Sequence, residues 1–330
     1  MRVSWGKDLI LVVALVAAGF VLAWVRFRPY LGDEGFYSDG TRVVDVTRAE
    51  ELRYAIWQAP QPLRGEVNSA GLEGRSTRSS DGRWLVFAAG ERGVCADLFR
   101  ARFEGGAWVD VEELTGLNSP FDEVAPHFSD GELLFSSNRP GGAGGLDLYR
   151  VPFDGERFGA AERLDDSLHS ERDETDPARG PDGQLAFASN RGEATDSRAQ
   201  AGDYDLFLAS PTPSGTLFVE PLGALNTPFE DRDPVFGLDG RTLLFASDRD
   251  GGEGGFDLYR SGLGREGWTS PRPLEGLCSP LDERAPDPEP DGFELRFVRS
   301  GSGEADLFAA SPSSCFISRA APSAGAKFRC

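Results

Sequence analysis

Four acidic pairs stand at matching places along the chain, Asp122-Glu123, Asp173-Glu174, Glu230-Asp231 and Asp282-Glu283, and each is followed by two residues and a proline. Each pair closes an element that opens with Asn or a substitute and then Ser or Thr: Asn118 to Pro126, His169 to Pro177, Asn226 to Pro234 and Cys278 to Pro286. An earlier copy survives as Asn68-Ser69 with Glu73. If the repeats close on themselves, a repeated carboxylate becomes a ring of carboxylates around one mouth. Crowded carboxylates repel one another. A cation with several oxygen ligands such as Ca²⁺, or a basic loop of a partner, relieves that repulsion. The competing reading is structural: the acids cap turns and pair with the recurring Arg139, Arg191 and Arg249. The eight residues are the candidate partner-binding positions. Calcium is the one cofactor the pattern leaves open, and no metal-ligand set is assigned.

Catalytic readings find less support. Nucleophilic hydrolysis needs a base beside an activated Ser or Cys, and the chain has two histidines, His127 and His169. His127 falls in an expected strand and His169 in the slot that is Asn elsewhere, so both are read as structural. A G-x-S-x-G elbow is absent, and two His with scattered Cys give no zinc spacing. The runs Gly141 to Gly145 and Gly251 to Gly255 join two strands with no helix start behind them, so they are hairpin turns and not phosphate cradles. Paired carboxylates can hydrolyse glycosides, but that chemistry needs two acids in unlike environments, and these pairs repeat identically. No catalytic residue is assigned, and the expectation is a non-enzyme.

The elements that must position the acids follow from a second periodicity. Asp-Gly followed by an apolar run recurs at Asp81-Gly82, Asp130-Gly131, Asp182-Gly183, Asp239-Gly240 and Asp291-Gly292, at intervals of 49, 52, 57 and 52 residues. After each comes Asp-Leu-aromatic, as in Asp97-Leu98-Phe99, Asp147-Leu148-Tyr149 and Asp306-Leu307-Phe308. Runs such as Leu133 to Ser137, Leu185 to Ser189 and Leu243 to Ser247 are short, apolar and bounded by turn residues, and so read as buried strands. Asp-Gly before them suits a tight turn, because glycine tolerates positive φ and Asp bonds its own backbone two residues on. Shorter strands precede the turn, and two more follow.

Four antiparallel strands per unit of about 50 residues make the blade of a β-propeller, and a blade must stack with neighbours around an axis to cover both faces. The fold class is all-β. Arg42 to Val46, Leu52 to Trp57 and Pro62 to Val67 look like late strands of one more blade completed by the carboxy-terminal tail, so six blades are expected and five is the alternative. The third repeat carries a loop from Gly192 to Tyr204 that is six residues longer than its counterparts, a candidate contact site.

The run Ser-Asn-Arg-Pro-Gly-Gly-Ala-Gly-Gly-Leu-Asp-Leu-Tyr-Arg from Ser137, its near-copy from Ser247, and the Asp-Glu-x-x-Pro elements resemble the WD40-like, TolB-type (PD40) propeller repeat of bacterial envelope proteins. The resemblance covers about residues 45 to 315. It implies a propeller fold and an envelope setting. TolB itself has an α/β domain before its propeller, whereas here some 15 residues separate Val25 from the first strand, so the Tol-Pal role is not carried over.

Charge and the ends of the chain bound the setting. With 34 Lys and Arg against 54 Asp and Glu the net charge is −20, which repels a phosphate backbone and argues against nucleic-acid binding. Leu9 to Val25 is an unbroken apolar run between Lys7-Asp8 and Arg26, read as an uncleaved transmembrane anchor, with a secretory signal as the rival. The organisation is then a tail at 1–8, an anchor at 9–25, a linker at 26–40, a propeller at 41–320 and a tail at 321–330. The acidic body favours an N-in orientation across a bacterial inner membrane with the propeller in the periplasm. The alternatives are a secreted or a cytoplasmic-facing body. Cys315 and Cys330 bracket a short segment and are a candidate disulfide. The functional expectation is a monomeric, membrane-anchored scaffold that binds an unidentified protein or envelope ligand. The second reading is a carbohydrate-active or other hydrolytic propeller using channel carboxylates.

Overall fold

A computed structural model describes residues 36–38, 42–45, 52–69, 71–192, 202–289, 294–301, 303–318 and 327–329, and the side chains of 57–69 and of the later stretches up to Pro312. The strands form where the apolar runs stand. Blade 1 consists of Glu73–Arg78, Trp84–Ala89, Asp97–Glu104 and Ala107–Glu113. Blade 2 is Glu123–Ser129, Glu132–Ser137, Asp147–Pro152 and Glu162–Arg163, and blade 3 is Glu174–Arg179, Leu185–Ser189, Asp205–Pro211 and Leu217–Pro221. Blade 4 runs Asp231–Phe236, Thr242–Ser247 and Asp257–Gly264, with Gly267–Trp268 and Arg272–Pro273 both pairing the third strand. Among the described residues the strands within each blade pair antiparallel.

The Asp-Gly turns work as the sequence implies, by two routes. Asp130 and Asp182 join their glycines at positive φ (48° and 56°), the geometry of a two-residue hairpin turn. At the other two described turns only the glycine is left-handed, and the Asp side chain accepts from the backbone two residues on: Arg83 N at 3.0 Å to Asp81, and Arg241 N at 2.8 Å to Asp239. Beyond the turn the second strand is buried on both faces. Its aromatic residue sits in register with that of the third strand in every blade, from Phe87 opposite Phe99 to Phe297 opposite Phe308, with ring centroids 5.6–6.1 Å apart. Such pairs contribute about 0.5–1.5 kcal/mol beyond area burial.

The ring closes at five blades, not the expected six. The fifth blade has three strands from the carboxy-terminal side, Asp282–Pro288, Leu295–Gly301 and Glu304–Ala310, and its outermost strand is Gln61–Pro62, with Phe308 opposite Pro62. The segment expected to build a sixth blade is thus divided. Pro62 completes blade 5, while Arg42–Asp45 and Leu52–Trp57 join Phe36–Ser38, Pro312–Ser318 and Lys327–Arg329 in a separate sheet. Among the described residues no inner strand is left over for a sixth wedge. Five apolar cores lie between successive blades, and the fifth joins Leu85, Phe87 and Trp108 of blade 1 to Val298, Ala305 and Leu307 of blade 5.

Three expectations fall on residues outside those described, wholly or in part. The apolar run 9–25 lies outside the described residues, and among those described no helix is long and apolar enough to cross a membrane. Cys330 is likewise outside them, as is the side chain of Cys315, and most of the long third-repeat loop (193–201) is too.

Closure is locked by Asn68. Its Oδ1 accepts from Leu307 N at 2.8 Å and its Nδ2 donates to Leu307 O at 3.1 Å, as Asn118 does to Leu98 and Asn226 to Leu206. Asn68→Ala leaves Leu307 N without its acceptor at the seam and removes one of the two donors to Leu307 O. It should cost about 1–3 kcal/mol in urea unfolding and speed amide exchange at Leu63, whose N–H donates to Leu307 O. Unchanged exchange at Leu63 would show that the seam is held elsewhere.

Candidate functional site

The acidic pairs turn inward and do two separate jobs. The second acid of each pair forms a clasp within its own blade. In blade 2 Glu123 accepts from Ser119 N (2.7 Å), Ser119 Oγ (2.6 Å), Ser137 Oγ (2.7 Å) and Arg139 Nη2 (2.9 Å). Arg139 in turn lies over Phe135 and Tyr149, 5.2 and 5.1 Å from the ring centroids. Glu174 with Arg191, Asp231 with Arg249 and Glu283 with Arg299 repeat the arrangement. All four carboxylates are buried. The first acid reaches instead to the preceding blade. Asp122 accepts from Gly93 N and Ala96 N, Asp173 from Leu146 N, and Asp282 from Phe256 N, while Glu230 pairs with Arg232 at 3.1 Å. The arrangement is the turn-capping, arginine-paired one, and the solvent-facing ring of eight is not formed: Asp122, Glu123, Glu174, Asp231 and Glu283 are buried, and Asp173, Glu230 and Asp282 are partly so. Among the described residues no group of His, Cys, Asp and Glu is arranged to hold a metal ion.

The glycine runs are hairpin turns, as expected. A Cβ on Gly144 would lie 2.3 Å from the Glu171 backbone and one on Gly254 2.0 Å from Leu281 O, so glycine is required where the turn meets the next blade. His169 fills the Asn slot, its Nε2 accepting from Leu148 N at 3.0 Å. His127 is buried on the inner strand of blade 2, and burial, reinforced by Arg75 and Arg179, pushes its pKa down to about 3, so it is neutral at physiological pH. Burial, with Asp257 nearby, pushes the Cys278 thiol up to about 12. Neither group is set up as a base or a nucleophile.

What the repeat does bring together lies between each acidic pair and its proline. Every inner strand has a register shift there, and Ala125, Asp176, Asp233 and Ala285 take left-handed φ of 52–56°. The bulges put two residues from each blade at the axis, around a pocket of about 310 Å³. Its charged lining is Glu73, Arg75, Arg92, Asp176, Arg232, Asp233 and Arg284, and its apolar lining includes Leu72, Val124 and Val298. Arg92, on the loop after the second strand of blade 1, reaches across to blade 3, pairing with Asp173 at 2.7 Å and donating to Tyr204 Oη at 2.9 Å. Arg284 Nε donates to Asp233 Oδ2 at 3.2 Å, and Arg232 lies 3.5 Å from the Tyr204 ring centroid. Blade 1 departs from the clasp: Glu91 stands where blades 2, 3 and 4 have Arg, no counterpart of the Arg299 that blade 5 supplies from the Ser position replaces it, and Glu73, bonded to Ser69, keeps Oε2 without a partner among the described residues.

Sequence reasoning passed over these axial residues because they are the variable ones. The signal was that variability: inside a strict acid-acid-x-x-Pro frame, the x-x positions read Val-Ala, Thr-Asp, Arg-Asp and Arg-Ala.

Asp176 and Asp233 form an unequal pair. Burial, then the neighbouring Asp233, pushes Asp176 up to about 6, while the surrounding guanidiniums, Arg284 foremost, outweigh burial and hold Asp233 below its ordinary value.

No family model and no curated protein matches the chain. Among solved structures it is similar to a TolB-assigned protein from Agrobacterium tumefaciens (16% identity, TM-score 0.46, covering 79% of this chain and 81% of that one). TolB from Acinetobacter baumannii is similar too (16%, 0.44, 90% and 69%). So is a gluconolactonase, XC5397 from Xanthomonas campestris (11%, 0.46, 83% and 92%). The propeller implied by the resemblance to TolB-type repeats is the fold the chain has. Likeness of this degree says nothing about substrate or partner.

A carboxyl whose folded pKa lies above its unfolded value destabilises the fold once ionised, so the contribution of Asp176 is lost as pH rises through about 6. Asp176→Asn fixes the neutral form. Its stability relative to the parent, from urea unfolding, should improve by about 1–3 kcal/mol between pH 4 and pH 7.5. A pH-independent difference would mean that Asp176 is ionised throughout.

Proposed function

We propose that the chain is a membrane-anchored, extracytoplasmic propeller that serves as a non-catalytic binding scaffold in the cell envelope, with the axial pocket as its recognition site. The observation that carries this reading is the convergence of variable, charged side chains from the bulged inner strands on one pocket, while the repeated acids are spent on holding blades together. The anchor at 9–25 and the acidic body support a periplasmic placement.

The unequal Asp176 and Asp233 favour one second reading, a hydrolase, since acid–base chemistry on two carboxyls needs such a difference. Against it, both are buried, at 6% and 4% exposure, and Asp233 is bound to Arg284 and to Ala285 N.

A photo-crosslinking residue at Ser300, on the pocket lining, should capture a discrete partner in cells, and one at the exposed Glu220 on the outer strand of blade 3 should not. Equal labelling from both sites would remove the pocket from recognition. On a panel of chromogenic glycosides the protein should show no turnover. Turnover abolished by Asp176→Asn or Asp233→Asn would establish the hydrolase instead.

A further inference from the structure

The axial pocket holds two unanswered hydrogen-bonding groups of opposite sign, both on the inner strand of blade 1. Arg75 is 4% exposed. Its Nη2 donates to Pro234 O at 3.2 Å, and its Nε and Nη1 have no partner among the described residues. Glu73 is 2% exposed, and its Oε2 has none. Both residues line the pocket. A buried donor or acceptor left unmade costs about 1–3 kcal/mol, and more when charged, so two such residues facing one space mark a place where something else completes the bonding.

The remaining charges on the lining are already matched. Arg92 meets Asp173, Arg284 meets Asp233, to which Asp176 supplies a hydrogen bond, and Arg232 is ion-paired with Glu230 at 3.1 Å, although its Nε makes no hydrogen bond among the described residues. What is left is one cation, Arg75, and one carboxylate, Glu73. A lone anion would be welcomed by the first and repelled by the second, and a lone cation the reverse. A ligand carrying both signs satisfies both. Glu73 and Arg75 are two residues apart on one strand, at its bulge, so both unanswered groups belong to one short stretch of the lining, and a molecule that carries its two charges close together, as an α-amino acid does, can meet both. The pocket's volume of about 310 Å³ admits such a molecule, and Leu72, Val124 and Val298 offer its side chain an apolar wall.

We propose that the axial pocket binds a small zwitterion of the α-amino-acid class with an apolar side chain, its carboxylate held by Arg75 and its ammonium by Glu73. This rests on the axial pocket being the recognition site and names what that site recognises.

Calorimetric titration of the full chain in detergent tests it, with four probes at constant ionic strength: leucine, leucine amide, 4-methylpentanoate, which lacks the ammonium, and the dipeptide Leu-Leu. Leucine should bind saturably, and the amide and 4-methylpentanoate each at least about tenfold more weakly, the loss of one charged hydrogen bond. Tighter binding of Leu-Leu than of leucine would show that the zwitterion is a short peptide with its two charges at opposite ends, and would overturn the α-amino-acid class. Glu73→Gln should abolish the preference for leucine over 4-methylpentanoate, and Arg75→Gln the preference over leucine amide. Should Arg75→Gln not fold, Arg75→Lys, which keeps the charge and changes the geometry, should weaken leucine and 4-methylpentanoate alike. Preferences that survive Glu73→Gln, a response to 4-methylpentanoate equal to that to leucine, or no binding of any probe would overturn the proposal. If no probe binds while Ser300 still crosslinks a partner, the scaffold reading stands and the ligand class alone falls; if both fail, the pocket is not a recognition site.

Discussion

A four-stranded sheet whose middle strands are apolar on both faces cannot persist alone in water. Its faces have to be covered, and here each blade covers its neighbour, so the unit of stability is the joint between blades. Five such cores make the ring, and each draws leucines and aromatics from two successive repeats. The same constraint explains the seam. With the last repeat supplying three strands, its third would remain a bare edge, and the amino-terminal segment covers that edge with Gln61–Pro62.

Burial without direction would leave the wedges free to slide, and the polar repeat removes that freedom. Asn bonds the backbone of the preceding blade's Leu, the first acid caps that blade's turn, and the second acid ties its own Ser and Arg to the inner strand. A buried carboxylate is costly unless its lone pairs are filled. Glu123 fills them with four donors, and the arginine that supplies one of these rests on the blade's aromatic pair. Charge and core are thus one device, repeated with small changes in blades 3, 4 and 5. Blade 1 lacks its arginine, and its Glu73, still bonded to Ser69, lines the pocket with one carboxylate oxygen unpartnered among the described residues.

Once the frame is fixed by repetition, the positions it does not use are free to differ. They lie at the bulge of each inner strand, so their differences gather at one place, a pocket edged by arginines in a protein of net charge −20. The close spacing of those charges gives Asp176 and Asp233 opposite tendencies although they occupy equivalent positions in neighbouring blades.

Spacing alone was enough to determine the blade, its turns, the buried second strand and the structural role of His169, because each rests on interactions between residues close in sequence or at a fixed repeat distance. The competing roles of the acids were both legible in Asp122-Glu123 and its copies, but the choice between them was not. Whether a carboxylate faces solvent or an arginine depends on where the next blade lies. The number of blades was decided only by tertiary structure, because Pro62 can pair with a strand before it or with Phe308 at the far end of the chain, and nothing local distinguishes the two. The pocket was hidden for the same reason. Glu73 and Arg75 of blade 1, Asp176, Arg232 and Arg284 come from four blades far apart along the chain, and closure of the ring is what sets them around a single space.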